Sequence, residues 1–329
     1  MMERRSKAAR RSKAVKVGGS VDLTSRVGSL VLPNPILTAA GTAGYGTELG
    51  EYVELARLGA VVVKSLRVEA WPGNPAPRLA PVGQGLLNSV GLEGPSLETW
   101  IDHYLPALYK TGARVVLSIW GRTVTEFAEA AQLLTDPLDG LVALEVNVSC
   151  PNVEDRNSMF AHSAVATAEV VSAVRTCPLP MWVKLSPNVP NLVDIALAAT
   201  EAGADALTLI NTVLGMKIDL EKRRPVLGGK GGGLSGPPIH PVAVRSVYDC
   251  HQALPEVPII GVGGVMDGRD AIELMMAGAS AIQVGTANFL DPRATIKVLN
   301  EVEKWCLVHG VDRIAEIVGV AHETYARGV

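Results

Sequence analysis

The stretch Leu141-Val142-Ala143-Leu144-Glu145-Val146-Asn147-Val148-Ser149-Cys150-Pro151-Asn152 decides the fold. An apolar run empties at once into a loop bearing amides, a hydroxyl and a thiol, and Pro151 removes the donor that further ladder pairing would need. A strand so continuously apolar is buried on both faces, as in a parallel sheet covered by helices. Working outward, the signature recurs at 34–40, 60–65, 114–119, 181–186, 206–211, 258–262 and 281–285, giving eight strands. Helix-length amphipathic segments fall between most of them, at 123–135, 163–176, 190–202, 239–253 and 268–277. Eight βα units in series predict an α/β fold, a (β/α)8 TIM barrel. A doubly wound open sheet is the structural alternative.

Composition agrees with that architecture. Nearly half of the 329 residues are apolar but only 4% are aromatic, so the core is built from Val, Ile, Leu and Ala. The net charge of −3 implies no wide basic field, and nucleic acid is not an expected partner. Four cysteines lie far apart with no Cys-x-x-Cys pair, and six scattered histidines offer no metal spacing, so no metal site is expected. No apolar run reaches membrane-spanning length, and a cytoplasmic, membrane-free protein is the expectation. Seven lysines and arginines crowd the first sixteen residues, which read as part of a disordered basic tail over 1–20. Residues 21–329 read as a single catalytic domain.

Two connections are too long for ordinary βα loops. One runs from Lys64-Ser65 to about residue 95, the other from Thr212 to about Pro238. Both leave strand C-termini, the face on which barrel enzymes build their sites, so they are expected as lids or substrate walls.

The strand ends form a polar ring: Gly41, Lys64 with Ser65, Ser118, Asn147 through Cys150, Lys184, Asn211 with Thr212, Gly263 with Gly264, and Gly285 with Thr286. Glycines after the last two strands predict a phosphate grip, because they let backbone N–H groups approach an anion closely. Lys64 and Lys184 interrupt apolar strands, a costly placement unless each meets an anion or lines a polar cavity. Cys150 has no histidine near it in sequence, so a base in a desolvated site suits it better than acyl transfer. Asn88, Asn147, Asn152 and Asn211 donate and accept at once, which suits a planar ring bearing imide groups.

Together these residues resemble the class 1 dihydroorotate dehydrogenases over about residues 22 to 295. Asn147-Val148-Ser149-Cys150-Pro151-Asn152 matches the family's catalytic strand end, where cysteine rather than serine at 150 marks class 1. Gly73-Asn74-Pro75-Ala76-Pro77-Arg78, Leu209-Ile210-Asn211-Thr212 and Gly233-Leu234-Ser235-Gly236-Pro237 are most like the class 1B catalytic subunit.

The resemblance implies an FMN-dependent oxidoreductase that converts (S)-dihydroorotate to orotate in de novo pyrimidine biosynthesis, with Cys150 as the base. It implies FMN held by Gly41, Lys64, Ser65, Ser118, Asn147 and Lys184 on one side. Ile210, Gly236, Gly263, Gly264, Gly285 and Thr286 complete that set. It implies substrate held by Lys64, Asn88, Ser89, Val90, Gly91 and Leu92, and by Asn147, Asn152, Asn211 and Thr212. It further implies a homodimer joined to an electron-transfer subunit carrying FAD and a [2Fe–2S] cluster, a heterotetramer that reduces NAD+. Ala40, Ser118 and Gly94 depart from the family's usual serine, asparagine and asparagine. A dihydropyrimidine dehydrogenase-like flavoprotein, a class 1A-like enzyme using fumarate, and a flavin-binding barrel without turnover are the alternatives.

Overall fold

Each of the eight aliphatic runs forms a strand of one parallel sheet. In this computed structural model they are β1 (Ile36–Thr38), β2 (Val61–Val62), β3 (Val115–Ile119), β4 (Leu141–Asn147), β5 (Met181–Lys184), β6 (Ala206–Leu209), β7 (Ile259–Val262) and β8 (Ala279–Val284). Residues 20–136, 138–152 and 158–322 are described, the side chains of 151 and 152 excepted, so nearly all of the expected basic tail lies outside them. The ladder runs β1-β8-β7-β6-β5-β4-β3-β2, and a bridge between Leu37 and Ala60 joins its two ends. Gly59 N donates to Ile36 O at 2.8 Å across that seam. The sheet is therefore a closed (β/α)8 barrel, and the doubly wound alternative is excluded.

Five expected helices appear as α3 (Val124–Gln132), α4 (Ala164–Val174), α5 (Leu192–Glu201), α6 (His240–Ala253) and α7 (Gly268–Met276). The chain adds α1 (Leu97–His103) and α2 (Leu105–Lys110) after β2, and α8 (Ala287–Leu290) and α9 (Ala294–His309) after β8. Side-chain caps set several starts: Thr123, Ser163 and Asn191 each accept from a first-turn N–H, and Asp267 forms a capping box with Asp270.

The barrel interior is filled in layers, because every second residue of a strand points inward. Leu37, Val62, Val116, Ala143, Trp182, Ala206, Ile260 and Ala281 make one apolar floor. A hairpin of Ser25–Val27 and Leu30–Leu32 packs Val27 and Leu32 against that floor. Two residues further along the strands the interior turns polar, with Lys64, Ser118, Glu145, Lys184, Thr208 and Gln283. The site rests on this change of layer.

The two long connections meet. Leu79–Val82 and Gly85–Asn88 from the first pair with Val213–Gly215 and Gly232–Ser235 from the second, making a four-stranded antiparallel sheet. Its residues Leu79, Leu86, Asn88 and Ser235 wall the mouth of the barrel.

Candidate active site

A cavity of about 290 Å³ lies at the C-terminal mouth, walled by the ends of β1, β2, β4, β5, β6, β7 and β8 and by the inserted sheet. Its lining includes Gly41, Lys64, Ser65, Asn147, Lys184, Ile210, Gly236, Gly263, Gly264, Gly285 and Thr286 of the expected cofactor set. Of the expected substrate set, Asn88, Val90, Gly91, Leu92, Asn211 and Thr212 also line it. Ser118 is wholly buried and exchanges a hydrogen bond with Ser65 Oγ at 2.8 Å, so it backs a lining residue without joining the lining. Ser89 likewise accepts from Asn74 Nδ2 at 2.9 Å behind the wall. The Asn152 side chain lies outside the described residues.

One end of the cavity is a glycine cradle. Gly264 has φ +70°, and a Cβ there would sit 2.6 Å from His240 Cβ and 2.9 Å from Gly236 O. Only a bare backbone fits between those neighbours. His240 Nδ1–H donates to Gly263 O at 2.9 Å, while Nε2 faces Glu273 at 3.2 Å and Asp270 at 3.8 Å. Across the cradle Thr286 Oγ1 and Ser235 Oγ are 2.7 Å apart. Ser235, which belongs to the Gly233–Pro237 motif but not to the expected site residues, lines the cavity; its signal is a hydroxyl immediately before Gly236.

The other end is rich in amides. Asn147 Oδ1 accepts from Ser149 N at 3.1 Å and from Asn211 Nδ2 at 3.2 Å, which leaves the Asn147 amide hydrogens for a ligand. Asn211 Oδ1 accepts from Thr212 N at 2.8 Å, and Asn88 Nδ2 donates to Gly233 O at 3.2 Å. Ser149 lines the cavity and its buried Oγ has no partner among the described residues. A buried hydroxyl left so is costly unless a ligand completes it.

Both lysines meet a carboxylate of the protein itself as well as lining the cavity. Lys64 Nζ donates to Tyr45 Oη at 2.8 Å and stands 3.7 Å from Glu93, which also binds Arg78 at 3.2 Å. Burial pulls the Lys64 ammonium below the usual lysine range, and Glu93 only partly opposes it. Lys184 stands 3.5 Å from Glu145 and 3.3 Å from Gln283 Oε1. Glu145, fully buried in β4, carries its own sequence signal, a carboxylate two residues before Asn147 on an apolar strand.

Cys150 lies in the loop that follows β4, behind the cavity wall. It is wholly buried and does not line the cavity. Its thiol sits 2.9 Å from Gly121 O and 3.2 Å from Asn147 O, and burial pushes its pKa up to about 12. Asn147 thus joins the two: its backbone carbonyl meets the thiol, and its side chain lines the cavity.

The sequence profile named dihydroorotate dehydrogenase matches residues 22–306. The chain belongs to the dihydroorotate dehydrogenase family. A protein from Desulforamulus reducens, named dihydroorotate dehydrogenase B (NAD(+)), catalytic subunit, is 46% identical over 303 residues, 92% of this chain and 99% of that protein. Proteins of the same name from Desulforudis audaxviator and Geotalea uraniireducens are 48% and 45% identical, over 91% and 92% of this chain and 97% and 98% of their own lengths. The family uses FMN, and the cavity fits that group on its own terms. A phosphate suits the glycine cradle, and a polar ring suits the amides, the lysines and the unpartnered Ser149 hydroxyl. Among the described residues of this dihydroorotate dehydrogenase family member, no helix is long and apolar enough to cross a membrane.

Proposed function

We propose that this protein oxidises (S)-dihydroorotate to orotate in de novo pyrimidine biosynthesis, as a class 1B catalytic subunit. The observation that carries the reading is the convergence of Asn88, Asn147, Asn211, Lys64 and Lys184 on one cavity, with Cys150 bonded to the backbone of Asn147. FMN, when bound, would supply the two-electron acceptor for the C6–H bond of the substrate. Gly236, Gly263, Gly264, Gly285 and Thr286 would hold its phosphate, and Lys64, Ser65, Asn147 and Lys184 its ring system.

The chain's own residues do the rest. Asn88 through Leu92, Asn147, Asn211 and Thr212 orient the pyrimidine, with the Asn152 side chain assigned to the same task. Lys64 exchanges part of its bond to Glu93 for the substrate carboxylate. Cys150, once its own proton has passed to solvent and the thiolate has turned from Gly121 O toward the cavity, takes the C5 proton and becomes the thiol again. The four dispersed cysteines suit no cluster, so onward transfer to NAD+ calls for a second, cytoplasmic subunit with FAD and a [2Fe–2S] centre. That arrangement is a heterotetramer built on a homodimer of this chain.

The test is anaerobic mixing of the FMN-loaded protein with dihydroorotate while the flavin's visible absorption is followed. Bleaching by dihydroorotate and not by dihydrouracil is the expected result. A flavin-loaded protein that dihydroorotate leaves yellow overturns the proposal.

A further inference from the structure

Above the apolar floor, four strands contribute one closed ring of polar side chains. Glu145 from β4, Lys184 from β5, Thr208 from β6 and Gln283 from β8 are each at least nine-tenths buried. Gln283 bridges the ion pair: its Nε2 donates to Glu145 Oε2 at 2.6 Å, and its Oε1 accepts from Lys184 at 3.3 Å. Thr208 Oγ1 donates to the same Glu145 oxygen at 3.2 Å. Lys184 therefore spends two of its three N–H donors on this ring and keeps one for the cavity it lines. Every other member sits below, out of reach of a ligand.

We infer that Glu145 is a positioning residue that sets the reduction potential of the bound flavin by neutralising Lys184. The inference rests on the FMN reading of the cavity. An unopposed ammonium beside a flavin favours the reduced form, which carries a negative charge. In a water-poor barrel such a charge acts strongly, and so does the carboxylate that offsets it. The Glu145–Lys184 pair is neutral overall, so it supplies a fixed donor without making the flavin too strong an acceptor to pass electrons on. Four strands hold the ring, which fixes the ammonium's direction as well as its charge.

The experiment is an anaerobic redox titration of the FMN-loaded protein against reference dyes, with Glu145→Gln, Lys184→Gln and the double variant. Glu145→Gln leaves the lysine unopposed, and the equilibrium is expected to move at least tenfold toward reduced FMN, about 30 mV for a two-electron couple. Lys184→Gln is expected to move it the opposite way, and the double variant to return close to the wild-type value. Should Glu145→Gln alone fail to fold, Lys184→Gln compared with the double variant reads the same carboxylate. A potential that Glu145→Gln leaves in place, or shifts of the same sign in both single variants, overturns the inference. A wild-type protein that takes up no FMN overturns the cofactor reading instead, so the two failures are distinguishable.

Discussion

The Cys150 thiol donates into the Gly121 and Asn147 carbonyls, and its pKa, pushed by burial from an ordinary 9.0 to about 12, keeps it protonated near neutral pH. A base must be a thiolate, and below its pKa the thiolate fraction grows tenfold for each pH unit. The rate of flavin reduction by dihydroorotate is therefore expected to climb with pH through about 7 to 9, as a stopped-flow series would read. Cys150→Ala is expected to keep FMN and to slow that reduction about 10²–10⁴-fold. A flat pH profile with a fast Cys150→Ala variant would assign the base elsewhere. The same shift has a stability sign. The unfolded thiol ionises first, so the stability this group contributes is present below about pH 9 and declines as pH rises toward 12. At this scale the lining was largely legible, because polar residues closing apolar strands announce a site. Glu145, Thr208 and Gln283 were not, since each is one polar residue inside its strand and their meeting depends on the register of four strands.

Elements supply the cradle. The β7–α7 loop presents Gly263 and Gly264 against the start of α6, and His240 ties the two by its bond to Gly263 O. Gly264→Ala adds a Cβ at φ +70° against His240 and Gly236, so the loop must move away from the position proposed for the phosphate. FMN affinity is expected to fall at least tenfold, about 1.4 kcal/mol, with the far-ultraviolet spectrum unchanged. Equilibrium dialysis with FMN checks it, and retained affinity would remove the cradle from the phosphate assignment. The barrel strands and five helices were readable because burial on both faces leaves a continuous aliphatic run, and an amphipathic helix leaves a 3.6-residue period. The inserted sheet was not. Its Gly232–Ser235 strand reads Gly-Gly-Leu-Ser, with little intrinsic β preference, and its pairing with Gly85–Asn88 joins segments about 145 residues apart, as in the Asn88–Gly233 bond.

Across the whole molecule the barrel's two ends do separate jobs. The floor hairpin is tied from below, where Asp22 N donates to Asp312 O and Ile314 N to Asp22 O, both at 2.9 Å, so the chain's early and late segments close one end together. The cavity, the glycine cradle and the inserted sheet all occupy the other. Stability and chemistry should then respond to different substitutions. Leu32 is fully buried against the floor and does not itself line the cavity, so Leu32→Ala removes packing and leaves a void. The expected cost is about 2–5 kcal/mol, read as a lower denaturant midpoint at an unchanged slope. Because the polar ring stands between floor and cavity, held by its own hydrogen bonds, the flavin's potential and its reduction rate should stay within about twofold of wild type. A shift in potential as large as that of Glu145→Gln would mean that floor packing, and not the ring, fixes Lys184.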